Sequence, residues 1–166
     1  MTVEQHQYPR GMELLTPRQG LAAGAMAAAA MAGALMAGSA LAGQGLWTPL
    51  NAIGGFFGRW QPPDAGFVLP ASLVGLATHL IFGALFGALY ASAAERMDRR
   101  SVVLVALYYG FMLWFGATFL VLSWLKPDLS DVFKSWLFLA GHLLYGLVLG
   151  SYAATRPQPQ RPVSPD

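Results

Sequence analysis

A chain of 166 residues in which 55% are hydrophobic and only 11% charged falls far below the charged share of about 25% found in soluble domains, so a water-soluble fold has no way to hide its apolar surface. The absence of cysteine excludes disulfides, thiolate metal sites and cysteine nucleophiles. A net charge of +2, carried by basic residues scattered at segment ends, excludes a nucleic-acid-binding face.

After an N-terminal tail at 1–19, the chain contains four apolar segments. Each is close to the roughly 20 residues that a helix needs to cross a hydrocarbon core of about 30 Å. They predict an all-α polytopic membrane protein with a transmembrane domain at 20–154, helices at 20–41, 70–94, 102–125 and 132–154, and a disordered tail at 155–166 rich in Pro and Gln. Thr16-Pro17 suits the opening turn of the first helix and Gly43 its end; position and flanks mark this helix as retained, not as a cleaved signal peptide. Pro70 opens the second, Ser101 caps the third, and Ser130 with Asp131 caps the fourth.

The first loop, from Gly45 to Gly66, is itself apolar. Its stretch Trp47–Gly58, with a cap at Thr48 and a proline at the next position, is too short to span. It predicts a short interfacial or re-entrant helix, ended by Gly58 and the Gln61-Pro62-Pro63 breaker, that plugs the bundle in preference to acting as a lid.

Basic residues orient the helices. Arg10, Arg18, Arg96, Arg99, Arg100, Arg156 and Arg161 fall on one side, against Arg59, Lys126 and Lys134 on the other. Positive residues concentrate in cytoplasmic loops, so both termini are expected in the cytoplasm. Trp47, Trp60, Trp124 and Trp136 fall at the opposite face, where indole rings anchor at headgroup level.

Two stretches are near copies at a constant offset of 63 positions. Ala77-Thr78-His79-Leu80-Ile81-Phe82-Gly83, with Gly87 and Ala91, matches Ala140-Gly141-His142-Leu143-Leu144-Tyr145-Gly146, with Gly150 and Ala154. The match predicts two repeated helical hairpins related by an axis along the membrane normal. His79, Gly83 and Gly87 share one helical stripe, as do His142, Gly146 and Gly150. Glycines at this spacing let membrane helices approach closely; Gly20 and Gly24 extend the small-residue set into the first helix. That helix is mostly Ala and Gly, which predicts a central position embraced by the other helices or by a second copy. Met26, Met31 and Met36 are spread around it and read as gap-fillers in preference to Cu(I) ligands.

Ionisable residues at membrane depth default to a functional hypothesis. For His79 and His142 the first reading is a polar core: each ring bonds a carbonyl or a hydroxyl such as that of Thr78, Ser72 or Tyr109, and fixes helix register. The others are a proton or small-solute site between the repeats, and bis-histidine ligation of haem or another tetrapyrrole. No apolar segment contains Asp or Glu, which leaves no buried carboxylate for acid–base catalysis and no acidic metal cage; neither a nucleophile elbow nor a phosphate loop is present. The expectation is a non-enzyme without metal or resident cofactor.

The four-helix plan, with Trp47, Pro49, Leu50 and Asn51 after the first helix and His-Leu-x-aromatic-Gly in the second and fourth, resembles small bacterial four-span inner-membrane proteins of uncharacterised function. The resemblance implies a bacterial plasma membrane and supplies no activity. The expected role is structural or accessory, through helix packing in a homo-oligomer or a larger membrane complex. A tetrapyrrole carrier or small transporter is the alternative.

Overall fold

In the computed structural model, which describes residues 15–57, 66–94, 97 and 99–156, every regular element among the described residues is helical. Residues 1–14 of the tail expected at 1–19 and 157–166 of that expected at 155–166 lie outside the described residues, as do Gly58, Arg59, Trp60 and the Gln61-Pro62-Pro63 breaker, while 17–19 belong to the first helix. Four helices are long and apolar enough to cross a membrane: Pro17–Leu41, Leu69–Ala94, Ser101–Leu125 and Trp136–Ala154, with mean hydropathy between 1.5 and 1.8.

Helix α1 (Pro17–Leu41) opens on a reciprocal cap. The Gln19 N–H donates to Thr16 Oγ1 at 3.3 Å, and the Thr16 N–H donates to Gln19 Oε1 at 3.0 Å. It stops before Gly43, whose φ of +72° is a left-handed value that a side chain disfavours. The expected short helix follows as α2 (Thr48–Gly55). Thr48 is not its cap: the N-cap position is Trp47, and the Thr48 hydroxyl donates back to the Gln44 carbonyl at 2.5 Å. Asn51 pins α2 to α3 (Leu69–Ala94). Its amide donates to the Gly66 carbonyl at 2.9 Å, and its Oδ1 accepts the buried Ser72 hydroxyl at 2.6 Å.

The third span departs from expectation twice. Helix α4 (Arg99–Phe115) starts two residues before Ser101, which therefore is not its cap. It then widens into a π-helical segment, Gly116–Leu122, before the single turn α5 (Ser123–Leu125). The fourth span is not capped by Ser130 and Asp131 either. Those residues sit inside a separate short helix, α6 (Pro127–Phe133), where the Ser130 hydroxyl donates to the Pro127 carbonyl at 2.8 Å. Pro127 pre-sets the opening turn of α6, Ser135 breaks the chain again with an extended backbone, and α7 (Trp136–Ala154) begins after it. Buried Trp114 on α4 holds α6 in place, its indole N–H donating to the Phe133 carbonyl at 2.9 Å.

Packing follows side-chain size. Helices α1 and α3 run antiparallel with Gly20, Gly24, Gly83 and Gly87 at their contact; a methyl group on Gly24 would fall on the Gly83 carbonyl oxygen, and one on Gly87 on the Gly20 carbonyl oxygen. The α4–α7 pair repeats this closeness, with Gly146 against the Ala106 carbonyl and Gly150 against the Ala106 methyl and Val103 Cα, at 2.7 and 2.9 Å from an added Cβ. The pairs join through α1 and α7, where Met31 and Leu35 pack on Gly141. Thus α1 is flanked by α3, α7 and α2, but α4 does not embrace it. Met31 is buried and Met26 is 48% exposed, so the methionines point to different surroundings.

Because the α1–α3 contact is backbone on backbone, Gly24→Ala should lower the stability of the detergent-solubilised protein by about 1–3 kcal/mol, the usual cost of overpacking. A Cβ on Gly33 meets nothing within 4 Å, and Gly33→Ala should leave stability unchanged or slightly raised by better helix propensity. Thermal unfolding of the two variants side by side measures the contrast.

Candidate functional site

Helices α3 and α4 make little contact with each other. They touch through tyrosines near one end of the bundle: the Tyr90 hydroxyl donates to the Val102 carbonyl at 2.5 Å, the Tyr109 hydroxyl donates to the Phe86 carbonyl at 3.0 Å, and the two rings lie 5.5 Å apart. Beyond that closure the helices diverge and leave a crevice of about 520 Å³. Ile53 of α2, Phe56 and Phe57 just past its end, and Phe133 of α6 line its other end, and Gly116, Ala117, Val121 and Leu122 of the π segment form one wall. Tyr145 of α7 crosses to the opposite wall, donating to the Gly83 carbonyl at 2.7 Å.

His79 and His142 both line this crevice. His79 Nε2 lies 3.0 Å from the Ala28 carbonyl oxygen, across the α1–α3 interface. His142 Nδ1 lies 2.8 Å from the Phe138 carbonyl oxygen, one turn back on its own helix. A carbonyl only accepts, so each of these nitrogens carries the hydrogen. The neutral rings are therefore opposite tautomers: His79 keeps its lone pair on Nδ1, and His142 keeps it on Nε2. Neither of these second nitrogens has a hydrogen-bond partner among the described residues.

Ala28 lies near the middle of α1, which puts the His79 bond near the centre of the span. His142 is within about two helical turns of that level, since its neighbour Gly141 packs on Met31 and Leu35. The two rings thus share one cavity at related depth. Their partners are backbone carbonyls; Ser72 bonds Asn51 and Tyr109 bonds the Phe86 carbonyl instead.

The six glycines Gly20, Gly24, Gly83, Gly87, Gly146 and Gly150 are all buried at helix contacts and do not build the crevice wall, apart from Gly83 at its edge. Among the described residues no group of three or more His, Cys, Asp or Glu comes together as a metal site. Three features of the site have no expression in the copied motifs. The tyrosine closure rests on Tyr90 and Tyr109, whose phenols inside apolar runs are the usual signal of a cross-helix bond. The polar tether of α2 rests on Asn51. The π segment has only a weak local signal, Gly116 followed by Thr118, and it leaves a mark in the structure: the Thr118 hydroxyl is buried without a partner among the described residues, while its carbonyl accepts the Ser123 hydroxyl at 3.0 Å. Such π segments concentrate at functional sites.

Fold and crevice together define an all-α protein with four spans of membrane length and a histidine-lined cleft between two of them. The chain belongs to a family of unknown function, DUF6789, whose sequence model matches residues 16–163. No curated protein and no solved structure matches it.

The opposed tautomers are directly measurable. In a His6→Gln background, which removes the third histidine of the chain, long-range proton–nitrogen NMR spectra of histidine-labelled protein should show one ring protonated on Nε2 and one on Nδ1, with His79→Gln removing the first pattern and His142→Gln the second. Two rings of the same tautomer would contradict the bonding described.

Proposed function

We propose that this chain is a non-enzymatic integral protein of the bacterial plasma membrane, with both termini in the cytoplasm, acting as a structural or accessory subunit in a homo-oligomer or beside a larger membrane complex. The observation that carries this reading is the outward face of α1. On α3 the exposed positions are bulky, as at Leu73, Ile81, Leu85 and Leu89, the coat a lipid-facing helix normally wears. On α1 Leu21, Met26 and Leu41 are exposed as well, but the stretch of its outward face between Met26 and Leu41 is small-sided, through Ala29, Ala30, Gly33, Ala34 and Ala37. Small residues gain nothing against lipid tails but let a second helix approach closely, so this face suits another protein helix.

The distribution of charge and indole supports the orientation. Arg18, Arg99, Arg100 and Arg156 lie at the bundle end where α1 and α4 begin; Lys126, Lys134 and Trp47 lie at the other, with Trp124 82% and Trp136 76% exposed. The two glycine-packed hairpins, α1 with α3 and α4 with α7, suit halves descended from one unit and related by an axis along the membrane normal. The spans hold no carboxylate, which speaks against catalysis at membrane depth.

The crevice favours small-molecule binding as a second reading, and within it bis-histidine haem ligation is the less supported form. His79 would have to give up its bond to the Ala28 carbonyl to offer Nε2, and among the described residues no Lys or Arg lines the crevice to pair with propionates.

Because the chain has no cysteine, single cysteines report neighbours cleanly. In native membranes, Gly33→Cys should form an oxidative dimer or a cross-link to one discrete partner, while Leu104→Cys, also exposed, on α4, should not. Equal cross-linking at both positions, or none at Gly33, defeats the packing-subunit reading.

A further inference from the structure

We infer that the crevice between α3 and the π segment is a binding site for a membrane-dissolved aromatic molecule bearing a hydroxyl group, the head-group chemistry of a lipid-soluble phenol or quinol. The site stands independently of any self-association through α1.

Size is the first argument. About 520 Å³ falls within the range of roughly 300–1,000 Å³ typical of small-molecule sites. Access is the second. Phe82 on one rim is 49% exposed, and Val121 on the other is 46% exposed; they sit on helices that make little contact with each other. The mouth therefore opens sideways, toward the acyl chains of a bilayer, and admits a solute that partitions into lipid in preference to a water-borne one.

Polarity is the third argument, and it selects the ligand. The walls are almost wholly apolar. The Tyr145 and Tyr109 hydroxyls and one N–H of each imidazole are already spent on backbone carbonyls. What remains fixed in polarity is a pair of imidazole lone pairs, on His79 Nδ1 and His142 Nε2, both acceptors; the Thr78 hydroxyl can turn either way. An apolar site that offers acceptors rewards a ligand that brings a hydrogen. A carbonyl or ether of the same shape leaves those lone pairs unpaired, which is the larger penalty in a dry site. Phe56, Phe82, Phe86 and Phe138 surround the space with ring faces and edges suited to an aromatic body. No bond is made or broken in this proposal; it concerns recognition alone.

The test uses the full chain in lipid nanodiscs with two probes that differ only in the donor: 4-nonylphenol and its methyl ether, 4-nonylanisole. Empty nanodiscs give the partition background. The phenol should bind saturably at one molecule per chain, about tenfold or more tighter than the ether, the factor that one hydrogen bond supplies, and should shift the nitrogen resonance of His142 Nε2 or His79 Nδ1. Ala117→Leu, which fills the wall of the crevice, should abolish saturable binding of both probes. His142→Phe should reduce the phenol to the affinity of the ether; if that variant fails to fold, the wild-type probe pair and Ala117→Leu decide the matter. Equal affinity for the two probes, unshifted imidazole nitrogens at saturation, binding that survives Ala117→Leu, or no saturable binding would each overturn the inference.

Discussion

The close approach of α1 and α3 is the constraint from which the remaining arrangement follows. Apolar surface gives no drive for helices to associate in lipid, where tails are as apolar as leucine; what counts is how near two backbones can come. At Gly24 and Gly87 there is no room for a single added carbon. The run of Ala and Gly that makes this possible makes α1 slender on its neighbouring sides too, so α7 also settles against it. Helix α4 has no such composition. Its Met112 and Leu113 face the crevice instead of a glycine seam, and α4 and α3 are joined by tyrosine bonds. The cleft is thus the complement of the glycine contact: bulk excluded from one seam leaves a gap at the other.

Around that gap the polar groups are few, and apart from one nitrogen of each imidazole most are spent on backbone carbonyls. Tyr90, Tyr109, Tyr145 and Trp114 each bond a backbone carbonyl on another element. Helical carbonyls have a second lone pair to give, so such bonds tie elements together without breaking a helix ladder. The Asn51–Ser72 pair does the same for α2, and Phe56 and Phe57 just past its end line the cleft. The buried hydroxyls of Ser39 and Thr118 have no partner among the described residues, and Thr118 falls in the π-helical stretch.

Much of the architecture was legible in the residues because membrane spans are written in composition. Four apolar runs, Thr16-Pro17 as a helix start, and Trp47–Gly58 as a short non-spanning helix all correspond to observed elements. The misplaced boundaries share one cause. Ser101 and Ser130 look like caps by residue type, but Arg99 extends α4 backward and Pro127 starts a turn of its own, so local chain geometry outweighed side-chain preference. The repeat put the two histidines at matching positions in two helices, and both line one cavity. Which atoms they bond was not legible, since the acceptors belong to backbone and any residue supplies one. The π segment was hidden for a similar reason: an extra residue per turn changes hydrogen-bond pairing without altering hydropathy.

The two imidazole bonds differ in what they depend on. His142 is tied to its own helix four residues back, so the ring keeps its posture wherever α7 goes. His79 is tied across an interface, and its posture lasts only as long as α1 stays against α3. Parting those helices frees an N–H on one side of the cleft while leaving the other side untouched. The chemical character of the cavity is therefore coupled to the closure of a seam that lies outside it.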